Sequence, residues 1–471
     1  MHAVYIKIDK TTVYLQLIWF GNLSTMNILI AGDGEIISHL ARLLYDENHD
    51  ITLFCPAELS GSISQSLDVL IYTGDPTSID DLKNASIKKT DLFITTYVDG
   101  RTNLLAGILG KNLGAKKCIA KVNETEYSIG ESREMYKNLG VDYVVCPEKI
   151  AAKEITNLIT NTAATEIFDF TDKHLSLMLI RLGDEAQVIG KSLNQIAEEN
   201  IDLDFRAVAL HRKSNTLIPR GEDVFKKNDL AYVVTKPNGI DHLLKLGGKE
   251  NFTINNIMIV GGGTVGSLTA KNLEKNYKVK LFELNSETSS RLADELRDTM
   301  VINGDAHDVA LLERENIHAM DAVIAVTNNS ETNILTCLLA KKYGVRKTIA
   351  LVENINFIEI SQNIGIDTII NKKLATASYI IRFTMKAEVL STKCLNGIDA
   401  EIFEFLAKAG SPITRKPINK LKFPHAAIIG GIIRGNEGII ATGDLQVQAG
   451  DHVVVFTLPE AFDAVDRMFR S

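Results

Sequence analysis

From Asn27 onward the chain alternates short, continuous apolar runs with longer stretches of mixed polarity. The pattern is clearest in the second half. There Ile257–Val260, Val279–Glu283, Met300–Asn303, Ala322–Val326 and Thr348–Val352 are unbroken β-rich runs. Unbroken runs, rather than alternating ones, predict parallel strands covered on both faces. Between them Gly266–Lys275, Ser286–Arg297 and Asn333–Tyr343 have the length and composition of helices. Strand–helix alternation of this kind predicts a doubly wound α/β sheet with right-handed crossovers.

The pattern is written twice. Asn27–Gly34 aligns with Asn256–Gly263, and the register then holds to within one residue: Gly74-Asp75 falls on Gly304-Asp305, Asp91 on Asp321, Thr102-Asn103 on Thr332-Asn333 and Gly114 on Gly344. So many separated landmarks at one offset are the signature of an internal duplication. A second pair of segments follows the two copies. Ile189–Asn194 resembles Thr414–Asn419, and Asn228–Val234 resembles Gly450–Val455, each within a strand-rich stretch with a polar turn at Arg212–Asn215 or Arg434–Glu437. The reading is α/β: tandem doubly wound Rossmann-like domains at 26–150 and 251–375, each followed by a small α+β lid domain, at 151–250 and 376–471.

At 471 residues the chain has room for about three to four domains with cores of their own. Its 45% apolar and 23% charged residues are those of a globular protein, and its longest apolar runs, such as Ala426–Ile433, reach only about half of the roughly 20 residues that span a bilayer. A net charge of −8 offers no positive field for a phosphate backbone, which argues against nucleic acid as a partner. The five cysteines (Cys55, Cys118, Cys146, Cys337, Cys394) are widely spaced and show no C-x-x-C pair, as in a reducing cytosol. Residues 1–25 have no counterpart in the repeat and no signal-peptide cleavage pattern, so the expectation is an extension or a mis-assigned start with Met26 as the initiator.

The second copy carries the chemistry. Gly261, Gly263 and Gly266 form a G-x-G-x-x-G that directly follows an apolar strand and opens a helix. The first glycine serves the tight turn, the second lets backbone approach a pyrophosphate, and the third allows close packing of helix on strand. The helix N-terminus beyond Gly262, Gly263, Thr264 and Val265 offers free N–H groups to phosphate. Glu283 closes the second strand, where a carboxylate accepts from a ribose diol and favours NAD over NADP. Gly304-Asp305 and Thr327-Asn328 follow the third and fourth strands, at the edge where ligands bind in such sheets. Each of these pairs reads equally well as a turn or a helix cap, Asp305 above all.

The first copy keeps Gly32, Asp33, Gly34, Glu35 and Ile36 in the loop and Gly74-Asp75 after the third strand. It departs where the chemistry matters. Ile37 stands in the third glycine's place, Cys55 in that of Glu283, Tyr97 in that of Thr327 and Arg101 in that of Glu331. The expectation is a scaffold with a weakened or altered site. No H-E-x-x-H or G-x-S-x-G occurs in the chain, and His307 and His318 read as surface residues, so neither motif nor histidine offers the acid–base group that hydride transfer requires.

Taken together, Ile257–Gly266 with Glu283, Gly304-Asp305-Ala306, Asp321–Thr327 leading to Glu331-Thr332-Asn333, and the closing Gly450–Phe456 resemble the tandem RCK or KTN family of Trk-type potassium-uptake regulators. The resemblance runs from about Met26 to Phe469. It implies a non-enzymatic regulatory subunit, cytoplasmic and peripheral on the inner face of the membrane, bound to an integral-membrane potassium channel or transporter of Trk type. It also implies NAD(H), or ATP or ADP, as effector, and a homo-oligomer, a tetrameric ring. The family's basic residue at the end of strand five is read as Lys121 in the first copy, with Val352 in its place in the second. An NAD-dependent oxidoreductase with a duplicated cofactor domain is the competing reading, and a nucleotide sensor acting on another transporter the third.

Overall fold

The structure, a computed structural model, describes residues 26–46, 49–58, 67–160, 166–200, 205–212, 215–248, 252–384, 388–395 and 400–470. The expectation for 1–25 lies outside the described residues. Deleting Met1–Thr25 is expected to leave the melting temperature and nucleotide binding unchanged, because the repeat begins only at Asn27.

The first half opens with parallel strands β1 (Asn27–Ala31), β2 (Asp50–Phe54), β3 (Leu70–Tyr72), β4 (Leu92–Thr95), β5 (Lys117–Lys121) and β6 (Tyr143–Val145), in the order β3-β2-β1-β4-β5-β6. The order reverses direction between β1 and β4, the switch point at which doubly wound sheets open a crevice at their carboxyl edge. An antiparallel sheet follows, built of β7 (Glu166–Asp169), β8 (Ser176–Arg181), β9 (Phe205–Arg212), β10 (Asn215–Leu217) and β11 (Leu230–Thr235). The second half repeats both. Its parallel strands are β12 (Asn256–Val260), β13 (Lys278–Glu283), β14 (Thr299–Asn303), β15 (Ala322–Ala325), β16 (Lys347–Leu351) and β17 (Thr368–Ile370), in the order β14-β13-β12-β15-β16-β17. Its antiparallel strands are β18 (Val389–Cys394), β19 (Glu401–Leu406), β20 (Ala427–Arg434), β21 (Glu437–Ile440) and β22 (His452–Thr457).

All five strands expected in the second copy form, with ends shifted by a residue or so, and β17 adds a sixth too short to stand out in the apolar pattern. One alignment is corrected. Lys117 pairs with Leu92 and Lys347 with Ala322, so the residue matching Lys121 is Leu351, not Val352, which matches Val122.

The landmarks of the repeat turn out to be braces. Asp91 accepts from the Asn27 N–H at 2.8 Å, and Asp321 from the N–H groups of Asn255 and Asn256, which fixes where each first strand starts. Gly114 and Gly344 have φ of +119° and +83° and end their helices in the left-handed region that only glycine enters without cost.

The two halves exchange helices. Helix Pro147–Thr160 leaves the first parallel sheet and buries Ala151, Ile155 and Leu158 against Ile257, Val265 and Ala270 of the second. Helix Lys372–Ile381 leaves the second and buries Ala377, Ile380 and Ile381 against Ile28, Leu40 and Leu44 of the first. Lys372, at that helix's first turn, bridges Glu148 at 3.3 Å and Glu353 at 3.0 Å. The antiparallel sheets also share a core, in which Phe170, Leu177 and Tyr232 meet Ile402, Val454 and Phe456. The chain is thus a pseudo-dimer of its own halves. Among the described residues no helix is long and apolar enough to cross a membrane. Cys55, Cys118, Cys146 and Cys337 are buried thiols.

Candidate functional site

At the carboxyl end of β12 the chain turns sharply. Gly261 has φ +107°, and a Cβ there would lie 2.9 Å from the Val326 carbonyl and the Thr327 nitrogen. A Cβ on Gly266 would lie 1.9 Å from the Gly261 carbonyl oxygen, so the helix Thr264–Leu273 abuts the turn more closely than any side chain permits. Gly263 is exposed, with no atom within 4 Å of the position its Cβ would take, and no side chain caps the helix behind it. The first N–H groups of that helix therefore face a cradle open to an anion.

Glu283, at the end of β13, is half-buried beside this turn. Its Oε2 accepts from the Gly262 N–H and its Oε1 from the Asn285 N–H, both at 2.8 Å. The carboxylate thus holds the glycine loop in shape and keeps lone pairs in reserve, since an ionised carboxylate offers about four acceptor sites. A Cβ on Gly262 would lie 2.6 Å from Leu292 Cδ1 and 2.7 Å from Glu283 Oε2, so a larger residue there would displace the side chains that pack on the loop. Leu284, next to Glu283, is 69% exposed and leaves an apolar surface on the crevice's β13 side.

The remaining expected residues line the same edge. Gly304 follows β14 and donates its N–H to the Glu283 carbonyl at 3.0 Å. Asp305 is exposed and is not a helix cap: Asp308 caps helix Val309–Arg314, while Asp305 Oδ1 accepts from the His307 N–H at 2.8 Å and meets His307 Nδ1 at 2.8 Å. These bonds, the backbone one first, hold its carboxyl below the usual range. His307 Nε2 reaches Thr332 Oγ1 at 3.0 Å, which spans the mouth between the third- and fourth-strand loops. Thr327 is tied to Asn333 through its N–H at 2.9 Å and its hydroxyl at 2.7 Å, and Asn328 is exposed.

Asn333 is the residue that the motif reading missed. Fully buried, it donates to the carbonyls of Thr327 and Leu351 and so clamps the loop after β15 to the end of β16. Asn103 does the same in the first half, donating to Tyr97 and Lys121 carbonyls. The repeated Thr-Asn pair was the available signal.

The first copy is arranged otherwise. Asp33 Oδ1 accepts from the Val98 N–H at 2.8 Å, so the loop is braced toward β4 rather than β2, with an exposed carboxylate where the second copy has Gly262. Tyr97 is 8% exposed, and its hydroxyl donates at 3.3 Å to the Phe54 carbonyl, which also accepts from the Gly32 N–H. The ring packs in a core with Ala31 and Phe54, at the carboxyl ends of β1 and β2. Burial, and after it Asp33, Cys55 and Asp75, pushes the phenol well above its usual pKa, so it remains a neutral donor. Cys55 is buried and its thiol is pushed up by that burial. Ile37 sits in the core, and its side chain is incompatible with the close approach seen at Gly266. Gly34 is unobstructed, Glu35 and Ile36 begin helix Glu35–Asp46, and a Cβ on Gly74 would meet Asp81 Oδ2 at 2.8 Å. Asp75 accepts from the Thr77 hydroxyl and N–H, which lower its pKa in that order. Lys121 donates to the Tyr97 carbonyl at 3.2 Å, and burial lowers its pKa.

The TrkA-N domain model matches residues 28–147 and 257–372, the two parallel-sheet units, and the TrkA-C domain model matches 177–247 and 402–470. The chain belongs to the TrkA family. TrkA relatives include Trk system potassium uptake protein TrkA homolog 1 of Methanosarcina mazei, 30% identical over 94% of this chain and 100% of the relative. Another is Trk system potassium uptake protein TrkA of Vibrio alginolyticus, 30% identical over 93% of this chain and 97% of that one. Among solved structures the TrkA fold matches the GsuK RCK domain, with a TM-score of 0.59 and 16% identity over 95% of each chain. The GsuK channel bound to NAD matches with a TM-score of 0.59 and 16% identity over 95% of this chain and 79% of that chain. At that identity the likeness is one of fold. Two TrkA-N units are thus present, and their glycine loops are built differently.

Proposed function

We propose that the chain is a nucleotide-binding regulatory subunit that gates a membrane potassium-uptake channel or transporter, with its principal NAD(H) site on Gly261–Gly266 and Glu283. The observation that carries the reading is the bracing of the loop by Glu283, which leaves the helix end at Gly263 open. In this reading the N–H groups from Gly263 onward take the pyrophosphate, and the spare lone pairs of Glu283 take the ribose diol. The same carboxylate repels a 2′-phosphate and so selects NAD over NADP. Asp305, Thr327 and Asn328 form the far wall of the site.

The first copy binds more weakly, or takes ATP or ADP, because Tyr97 covers its crevice and Asp33 places negative charge on the phosphate side. Tyr97→Thr is expected to add a second, weaker NADH or ADP site in a calorimetric titration, at a cost of about 2–4 kcal/mol in stability for the lost ring. An unchanged stoichiometry in the folded variant argues that Tyr97 does not cover a site.

Binding reaches the other half through helix Pro147–Thr160, which packs on Val265 of the loop helix. Gating then requires only that the nucleotide bind one arrangement of the halves more tightly, by a typical coupling of about 1–3 kcal/mol. The subunit would act on the inner face of the membrane as a homo-oligomer, a ring of four, docked on a Trk-type membrane protein.

The test pairs NADH calorimetry with rubidium uptake in cells that co-express the chain and a Trk-type membrane subunit. The expected result is one strong NADH site per chain and uptake that changes when Glu283 is replaced by Ala. Steady consumption of NADH with small carbonyl compounds would sink the regulator reading in favour of the oxidoreductase.

A further inference from the structure

We propose that a cavity at the junction of the two halves is a second effector site, for a small organic anion with an aromatic face. Its volume is about 580 Å³, within the usual range for small-molecule pockets. Its walls are one face of each exchanged helix, and its floor is made by β7 with Phe170 and Thr171, and by β18. Each half thus contributes a helix and a strand. A molecule lodged there touches both, and its affinity depends on how the halves are placed.

The charges in the cavity do not balance. Two carboxylates line it, and each already has a lysine: Glu154 pairs with Lys393, and Asp169 with Lys173 at 3.7 Å. Two further cations, Arg382 and Lys153, line the same space. Arg382 has no acidic partner among the described residues. Its guanidinium lies over the rings of Tyr379 at 3.9 Å and Phe383 at 4.6 Å, and one η nitrogen donates to the Leu390 carbonyl at 3.4 Å. Its Nε is buried with no acceptor. A buried donor without an acceptor is costly, and a charged one more so, whereas an anionic oxygen would satisfy it.

The rest of the lining fits such a ligand. Tyr379 and Phe168 offer aromatic surface, and Ser378 and Thr392 also line the cavity, with their hydroxyls donating to the Leu374 carbonyl and to Glu401. A phosphate or sulfonate on an aromatic ring matches this combination, and the site shares no residue with either glycine loop.

Phenyl phosphate is the probe, titrated into the full chain with NADH at saturation and followed by calorimetry. Saturable binding is expected. Arg382→Gln should weaken it about tenfold or more, Lys153→Gln a few-fold, and Glu283→Ala not at all. Neutral benzyl alcohol should bind far more weakly. The proposal falls if wild type shows no saturation at millimolar phenyl phosphate, or if both cation variants bind as wild type does. It also falls if raising NADH displaces the probe competitively, which would place the probe in a glycine loop. If Arg382→Gln does not fold, Lys153→Gln decides, because Lys153 is exposed.

Discussion

Glu283→Ala is expected to weaken NADH binding roughly ten- to a hundredfold, while Cys55→Ala leaves it unchanged. In the proposed site the acceptor lost from the ribose is a charged one, and hydrogen bonds to charged groups contribute about 1.5–3 kcal/mol. The structure adds a second loss. With Oε2 gone the Gly262 N–H loses its acceptor, so the glycine loop is no longer held in shape. Glu283→Gln separates the two contributions, because a Gln carbonyl can still accept from Gly262. Gln should therefore recover part of the affinity that Ala loses. Cys55 stands at the matching position of the first copy but is buried, with its N–H bonded to the Tyr72 carbonyl, and has no route to a ligand. Calorimetric titration of the three variants and wild type checks the assignment. Wild-type affinity in Glu283→Ala, together with loss of binding on changing Gly32 or Gly34, reverses the two copies.

The second large effect is on stability. In each antiparallel sheet an arginine from the central turn grips a buried aspartate with two bonds: Arg212 to Asp229 at 2.8 and 2.7 Å, and Arg434 to Asp451 at 2.9 and 2.8 Å. The aspartates are 0% and 1% exposed, and each also accepts a backbone N–H, from Lys226 or Gln448. Removing one partner of a buried pair costs about 3–5 kcal/mol, because the other is left desolvated and unpaired. Both arginines keep some contact with water, so Asp229→Ala and Asp451→Ala are each expected near the lower end, at about 3 kcal/mol. Urea unfolding should show the loss, and a loss below about 1 kcal/mol would make these pairs ordinary surface ion pairs.

Much of the architecture was legible in the sequence because duplication and burial leave periodic marks. Strands covered on both faces must be apolar throughout, which made β12, β13, β15 and β16 visible, and the repeat supplied the first copy wherever its own pattern was weak. Gly261 and Gly266 were readable because the backbone at those points admits no Cβ. That the first copy's loop is built differently was also readable, from Ile37 and Cys55, since a side chain's size and hydrogen-bonding capacity travel with its identity.

Other features depend on contacts between residues far apart in the chain, which no local pattern encodes. That Glu283 braces Gly262, that Tyr97 reaches the Phe54 carbonyl and that Asp308 rather than Asp305 caps its helix follow from where the turns place those groups. The exchange of helices is the largest case. The apolar faces of Pro147–Thr160 and Lys372–Ile381 say that each helix must be covered but not by what, since burial is rewarded whichever surface provides it. Only the packed structure shows each helix lying on the other half's sheet, with Arg382 and the cavity beside it as a consequence.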